Sequence, residues 1–101
     1  MKFWKMNGAG NDFIVINSID QEIPEESRPD IARLICKRRM SVGADGLMIV
    51  EKPMEGGDYR MLFYNSDGSM GEMCGNGARC ICRYGYENGL AGEIQKVETT
   101  A

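Results

Sequence analysis

Cys74 is followed at once by Gly75, Asn76 and Gly77, and then by a run with helical patterning. A cysteine at a helix start sits near exposed N–H groups and the positive end of the helix dipole. Such surroundings lower a thiol pKa from about 8.5 to roughly 3.5–7.5 and favour the thiolate. Gly75 and Gly77 let a ligand approach the backbone closely, and the unpaired N–H groups of the helix start can bind a carboxylate. A base beside a carboxylate clamp is what removal of a proton alpha to a carboxylate requires, because the developing negative charge must meet donors already in place. Asn11 and Asn65 stand in turn-like surroundings, Asn65 just ahead of Asp67 and Gly68. Each reads either as a turn residue tolerant of unusual backbone angles or as a polar contact to a substrate.

The other reactive side chains have plainer readings. Cys36, Cys80 and Cys82 are expected to behave as small buried hydrophobes. A metal site is not expected, because Cys74, Cys80 and Cys82 lack paired C-x-x-C spacing and the chain has no histidine. Gly8, Ala9 and Gly10 suggest a dinucleotide loop, but Phe13 takes the third glycine position and no strand-to-helix step follows. Lys37, Arg38 and Arg39 read as a solvated helix end with favourable dipole placement, and the eight methionines as core and gap-filling residues.

The elements that must position Cys74 and the asparagines follow from periodicity. Residues 2–6 and 13–16 read as strands around a turn at 7–11, and residues 20–26 as a loop. A helix is expected over residues 28–39, with Pro29 in its first turn and Ile31, Leu34 and Ile35 on its apolar face. After a loop at 41–46, residues 47–50 and 59–64 read as two strands. A second helix is expected over 75–88 with Gly89 as its stop, and a last strand over 93–99. The pattern is mixed α/β.

At 101 residues the chain suffices for one small domain. Net charge is −3, with no basic tail and no interleaving of basic and aromatic residues, which argues against a nucleic-acid partner. No apolar stretch approaches the roughly 20 residues that span a membrane, and the first residues lack the apolar core of a signal peptide. A cytoplasmic location is expected, where the four cysteines are reduced thiols and a disulfide is disfavoured. A Cys74 thiolate would remain sensitive to oxidation.

Three segments together carry a family resemblance. The run from Asn65 through Asp67 and Gly68 to Cys74, Gly75, Asn76, Gly77, Arg79 and Cys80 resembles the active-site segment of the diaminopimelate epimerases. Phe3 to Phe13, with Lys5, Gly8, Gly10, Asn11 and Asp12, resembles their N-terminal segment. Arg39 to Leu47, with Gly43, Asp45 and Gly46, resembles their second glycine-rich loop. Family members often carry histidine at the position of Asn7, and some carry glutamine at that of Gly46.

The resemblance implies a protein of two similar α/β domains, each a mixed sheet wrapped around a central helix, with the active site in the cleft between them. Residues 1–101 would be an incomplete N-terminal domain, with the second domain absent. The implied reaction interconverts LL- and meso-diaminopimelate without pyridoxal phosphate, metal or any other cofactor, and serves lysine and cell-wall precursor synthesis. Two cysteines on opposite faces of the substrate would abstract and return the alpha proton, Cys74 being one of them. Asn11, Asn65 and Asn76 would orient the amino-acid substrate, and the Gly75 and Asn76 N–H groups would bind its carboxylate. The second cysteine, a Glu-Arg pair and a Gly-Ser/Thr segment come from the second domain in the family; a second copy of this chain is the other candidate source of an opposing thiol. A non-catalytic binding half and a racemase of another amino acid are the alternative readings.

Overall fold

The computed structural model describes residues 3–8, 11–36, 45–71 and 75–99. Strands β1 (Trp4–Gly8) and β2 (Asn11–Asn17) form an antiparallel hairpin in which Trp4 faces Val15 and Gly8 faces Asn11. A single 3-10 turn, Glu25–Ser27, and helix α1 (Arg28–Ile35) then carry the chain to β3 (Gly46–Glu51), which lies parallel to β2. Parallel neighbours need a crossover of this kind, whereas antiparallel neighbours can be joined by a turn. Strand β4 (Tyr59–Asn65) returns antiparallel to β3 with Gly46 opposite Asn65. The free edge of β4 is shared by two short strands. At its C-terminal end β5 (Met70–Gly71) pairs with Phe63 and Tyr64, and at its N-terminal end β6 (Val97–Glu98) pairs with Tyr59 and Arg60. Helix α2 (Gly75–Glu87) runs between these two short strands in the sequence.

Phe13–Ile16 of β2 and Leu47–Val50 of β3 are buried without a break. Continuous burial, rather than alternation, means that both faces of the sheet are covered. On one face Phe13, Val15, Met48, Val50, Tyr59, Met61 and Phe63 pack with Cys80, Ile81 and Tyr84 of α2. On the other, Ile14, Ile16, Leu47, Ile49, Leu62 and Tyr64 pack with Ile23, Ala32 and Cys36. Each fully buried aliphatic side chain contributes about 1.5–3 kcal/mol of transfer free energy, so these two layers dominate the folding energy.

The mixed α/β class is as expected, and the departures lie at element edges and on one helix face. Helix α1 ends at Ile35 with Cys36 as its cap, and the expected continuation over residues 37–39 lies outside the described residues. Its inward positions are Arg28, Ala32 and Cys36 at steps of four, flanked by the partly buried Ile31 and Ile35, while Leu34 is 59% exposed. The cause is that Arg28 is turned inward by two acceptors, so the helix presents a face that a purely apolar count does not select. Arg28 donates from Nε to the Ile23 carbonyl at 3.1 Å and pairs from Nη2 with Glu51 at 2.5 Å.

Cys36 and Cys80 are buried as expected, but Cys82 is exposed, since it falls on the outer side of α2. Asn7 and Asn11 belong to strands rather than to a turn, β5 adds a short strand beyond the expected ones, and only Val97–Glu98 of the expected last strand is paired. The stop at Gly89 holds. Gly89 takes φ +72°, its N–H reaches the Tyr86 carbonyl at 3.3 Å, and the Leu90 N–H reaches the Gly85 carbonyl at 2.9 Å. That pair of bonds is a Schellman cap, which satisfies the last carbonyls of α2 and needs a left-handed residue that glycine adopts at least cost.

Candidate active site

Pairing register brings the candidate residues to one end of the sheet. Phe13 pairs with Gly46, and Gly46 with Asn65, so the start of β2 and the end of β4 are level across β3. Asn11 begins β2 and Asn65 ends β4.

The direction of α2 brings its first residues toward the same end. Tyr84, near the C-terminus of α2, meets Trp4 edge-on with ring centroids 6.0 Å apart and lies beside the Asn17 side chain. The Tyr59 hydroxyl bonds the Ile81 carbonyl at 3.0 Å. Trp4, Asn17 and Tyr59 all belong to the opposite end of the sheet, so the C-terminal half of α2 is fixed there. Gly75 lies six residues before Ile81, about 9 Å back along the helix axis. Gly71, which pairs with Phe63, is four residues before Gly75, a tether of at most about 14 Å. The N-terminal N–H groups of α2 are thereby brought toward the end that carries Asn11 and Asn65.

Asn65 is held by a tight turn. Its N–H donates to the Ser69 carbonyl at 2.8 Å, its carbonyl accepts from the Gly68 N–H at 2.9 Å, and its Nδ2 donates to Ser69 Oγ at 3.1 Å. Asp67 completes the turn by accepting from the Ser69 N–H at 2.8 Å and from its hydroxyl at 2.6 Å. Those two bonds, with Arg33 nearby, hold the Asp67 carboxyl below the usual range. A Cβ on Gly71 would lie 2.8 Å from Asn65 Nδ2, so the absence of a side chain there makes room for the amide.

The start of β2 is held by bonds among Asn7, Asp12 and Asp45, residues that the sequence offers only as part of the family resemblance and without a role. Asp45 Oδ2 accepts from the Asp12 N–H at 2.8 Å, and the Asp45 N–H donates to the Asp12 carbonyl at 2.7 Å. Across the hairpin, Asn7 Nδ2 donates to Asp12 Oδ1 at 2.7 Å. Nothing in the spacing of Asp12 and Asp45, 33 residues apart, announces this bracket. At the next position a Cβ on Gly46 would come within 2.6 Å of the Phe63 ring, so the aromatic side chain occupies that space. Burial pushes the Cys36 thiol above its ordinary pKa, and the charge of Asp45 adds to the shift.

Gly75 is the first residue of α2 and Asn76 the second. Cys74 lies outside the described residues. Among the described residues no group of three or more Cys, Asp or Glu could hold a metal ion, and no helix is long and apolar enough to cross a membrane.

A sequence model of the family described as diaminopimelate epimerase matches residues 3–101. The diaminopimelate epimerase of Moorella thermoacetica is 51% identical over 102 residues, covering 100% of this chain and 36% of that protein. That of Methanocaldococcus jannaschii is 48% identical over 101 residues, covering 98% of this chain and 34% of the relative. This chain belongs to the diaminopimelate epimerase family. It spans about a third of the length of the curated family members it matches.

Two solved structures share the fold at low identity. A phenazine biosynthesis protein of the PhzF family from Bacillus anthracis matches with TM-score 0.68 and 20% identity, over 97% of this chain and 30% of that one. A methylitaconate-delta-isomerase matches with TM-score 0.72 and 14% identity, over 97% and 31%. The likeness extends the epimerase-family architecture to proteins of other names, and at such identity it concerns the fold alone.

Proposed function

We propose that this chain supplies one half of the active site of a cofactor-independent diaminopimelate epimerase. The observation that carries the reading is the convergence at one sheet end of Asn11, Asn65 and the start of α2, in a chain of the epimerase family whose residue before that helix is Cys74. A helix start offers N–H groups and a partial positive charge to a carboxylate, and the same field favours a thiolate. Gly75 and Asn76 are the proposed carboxylate donors, and Asn11, Asn65 and Asn76 the proposed orienting residues.

In the proposed reaction Cys74 stands on one face of the substrate alpha carbon. As thiolate it takes the alpha proton, and an opposing thiol gives a proton to the other face; in the reverse direction the roles exchange. The charge that develops on the carboxylate side is met by the α2 N–H groups, which need not reorganise as it forms. The opposing thiol would come from a second domain, of which residues 1–101 are the incomplete N-terminal partner, or from a second copy of this chain. The substrate would be a small amino acid used in lysine biosynthesis, and the setting the reducing cytoplasm, which keeps both thiols available.

The test is deuterium uptake at the alpha carbon of diaminopimelate in heavy water under reducing conditions. The expected result is uptake by the wild-type chain and none by Cys74→Ser. Equal uptake by both would remove Cys74 from the mechanism. No uptake by a folded wild-type chain would make it a binding half that needs its partner for the chemistry. Uptake with another amino acid but not with diaminopimelate would reassign the substrate.

A further inference from the structure

Resting on the epimerase reading above, we infer that Asp45 is a positioning residue that sets the backbone at Asn11 for contact with the substrate. The parallel ladder between β2 and β3 begins at the pair Phe13 and Gly46. One step before it Asp45 makes two bonds to a single residue: its N–H donates to the Asp12 carbonyl at 2.7 Å, and its side-chain Oδ2 accepts from the Asp12 N–H at 2.8 Å. The carboxylate thus extends the sheet past the point where strand pairing alone would carry it. Asp12 is the residue joined to Asn11, and its own side chain is tied across the hairpin to Asn7 at 2.7 Å.

Backbone held by few hydrogen bonds opens locally at low free-energy cost, and ahead of the β2–β3 ladder the start of β2 pairs with β1 alone. Asn11 pairs with Gly8 on one side, and the Asp45 bracket secures the following residue from the other. Charge assistance suits this duty, since a carboxylate accepting from a backbone N–H makes a shorter and stronger bond than a neutral acceptor. The bracket couples Asp45, the residue ahead of β3, to the start of β2, so any movement of Asp45 is passed to the residue beside Asn11. Misplacing a substrate-contacting group by about 1 Å can cost up to about a hundredfold in rate or affinity.

The experiment is a titration of the full chain, labelled with nitrogen-15, with diaminopimelate, comparing wild type, Asn11→Ala, Asp45→Ala, Asp45→Asn and the Asn11→Ala/Asp45→Ala double variant. Asp45→Ala is expected to weaken binding about tenfold in the chain that keeps Asn11. The same change in the Asn11→Ala background should cost nothing further, a non-additivity that general loosening of the fold would not produce. Asp45→Asn keeps an oxygen acceptor for the Asp12 N–H and should stay within about threefold of wild type. If Asp45→Ala does not fold, Asp45→Glu replaces it: the charge is kept, the acceptor is displaced by one methylene, and the same loss confined to chains with Asn11 is expected. Equal losses in both backgrounds, or no loss in either, would overturn the inference while leaving the epimerase reading in place. Absence of binding by wild type, or an Asn11→Ala chain that binds as wild type does, would instead sink the reading of Asn11 and the inference with it.

Discussion

The two ends of the sheet are built on different principles. At the end away from the candidate site, side chains reach across elements and lock them. Tyr59 sends its hydroxyl to the Ile81 carbonyl at 3.0 Å and Gln95 Oε1 at 2.7 Å, sharing one proton between them, and Gln95 Nε2 reaches the Cys82 carbonyl at 2.7 Å. Arg28 pairs with Glu51 at 2.5 Å, with Arg60 3.7 Å from the same carboxylate. The Glu98 carboxylate gathers the N–H groups of Met54, Glu55 and Gly57 at 2.8–2.9 Å. At the other end the described polar groups around Asn65 bond mostly within a few residues, and the long-range ties described there are Asp12 to Asp45 and Arg33 Nη1 to the Asp67 carbonyl at 3.3 Å. The cross-element bonds at the stapled end add to the stability of the two apolar layers, and the opposite end keeps the polar groups and the helix start that the proposed site requires.

Substitutions at the two ends should therefore separate function from stability. The largest effect is expected from Cys74→Ser, which removes the proposed base: deuterium uptake should fall at least about a thousandfold, with the urea midpoint unchanged. Next is Arg28→Ala at the stapled end. Arg28 is buried but Glu51 is partly exposed and keeps Arg60 nearby, so the loss should be about 2 kcal/mol, below that of a fully buried pair, and denaturant titration should show it without any change in substrate affinity.

Gly68→Ala sharpens the contrast, because Gly68 lies in the Asn65 turn yet packs on α1. Its φ of +92° is unfavourable for alanine, and the added Cβ would meet the Pro29 carbonyl at 2.8 Å. A loss of about 2 kcal/mol in stability is expected, together with weaker diaminopimelate binding as the turn shifts. Stability lost with binding unchanged would mean that the turn does not set the site.

Smaller effects belong to the stapled end. Tyr59→Phe should cost about 1 kcal/mol by urea denaturation, because it removes a buried hydroxyl and its bonds to the Ile81 carbonyl and Gln95 Oε1. Burial drives the Tyr59 hydroxyl well above its ordinary pKa, so it donates as a neutral phenol throughout the working range. Glu98 is expected to act only through pH. Its three backbone donors hold the folded pKa below the ordinary glutamate value. The stabilisation is present above that ordinary value and is lost as pH falls through the folded one. In Glu98→Gln the acid-side decline of the urea midpoint should become shallower.

Strand cores and the second helix were legible because their cause is local. Four consecutive apolar residues at 13–16 and again at 47–50 can only be a doubly covered strand or a buried helix turn, and their shortness favours the strand. Gly89 ended α2 for a reason visible in one residue. Leu34 is exposed although its spacing puts it on the apolar face, and Arg28 is buried instead, held by acceptors at Ile23 and Glu51 that only folding brings near. Strand β5 was invisible, since two residues, Met70 and Gly71, carry no period and pair only because the Asn65 turn aims them at β4.

By itself the sequence determined the family, through Asn65 to Cys80 and the two glycine-rich segments, and it singled out Cys74, Asn11, Asn65, Gly75 and Asn76 as the residues of interest. It could do so because reactive residue types and the backbone freedom of glycine are properties of short segments. Tertiary structure alone decided that Asn11 and Asn65 are level at one end of the sheet, that α2 begins toward that end, and that Asp45 holds Asp12. Those facts depend on strand register and on hydrogen bonds between residues far apart in the chain, and such partners are chosen only when the two apolar faces of the sheet are buried together.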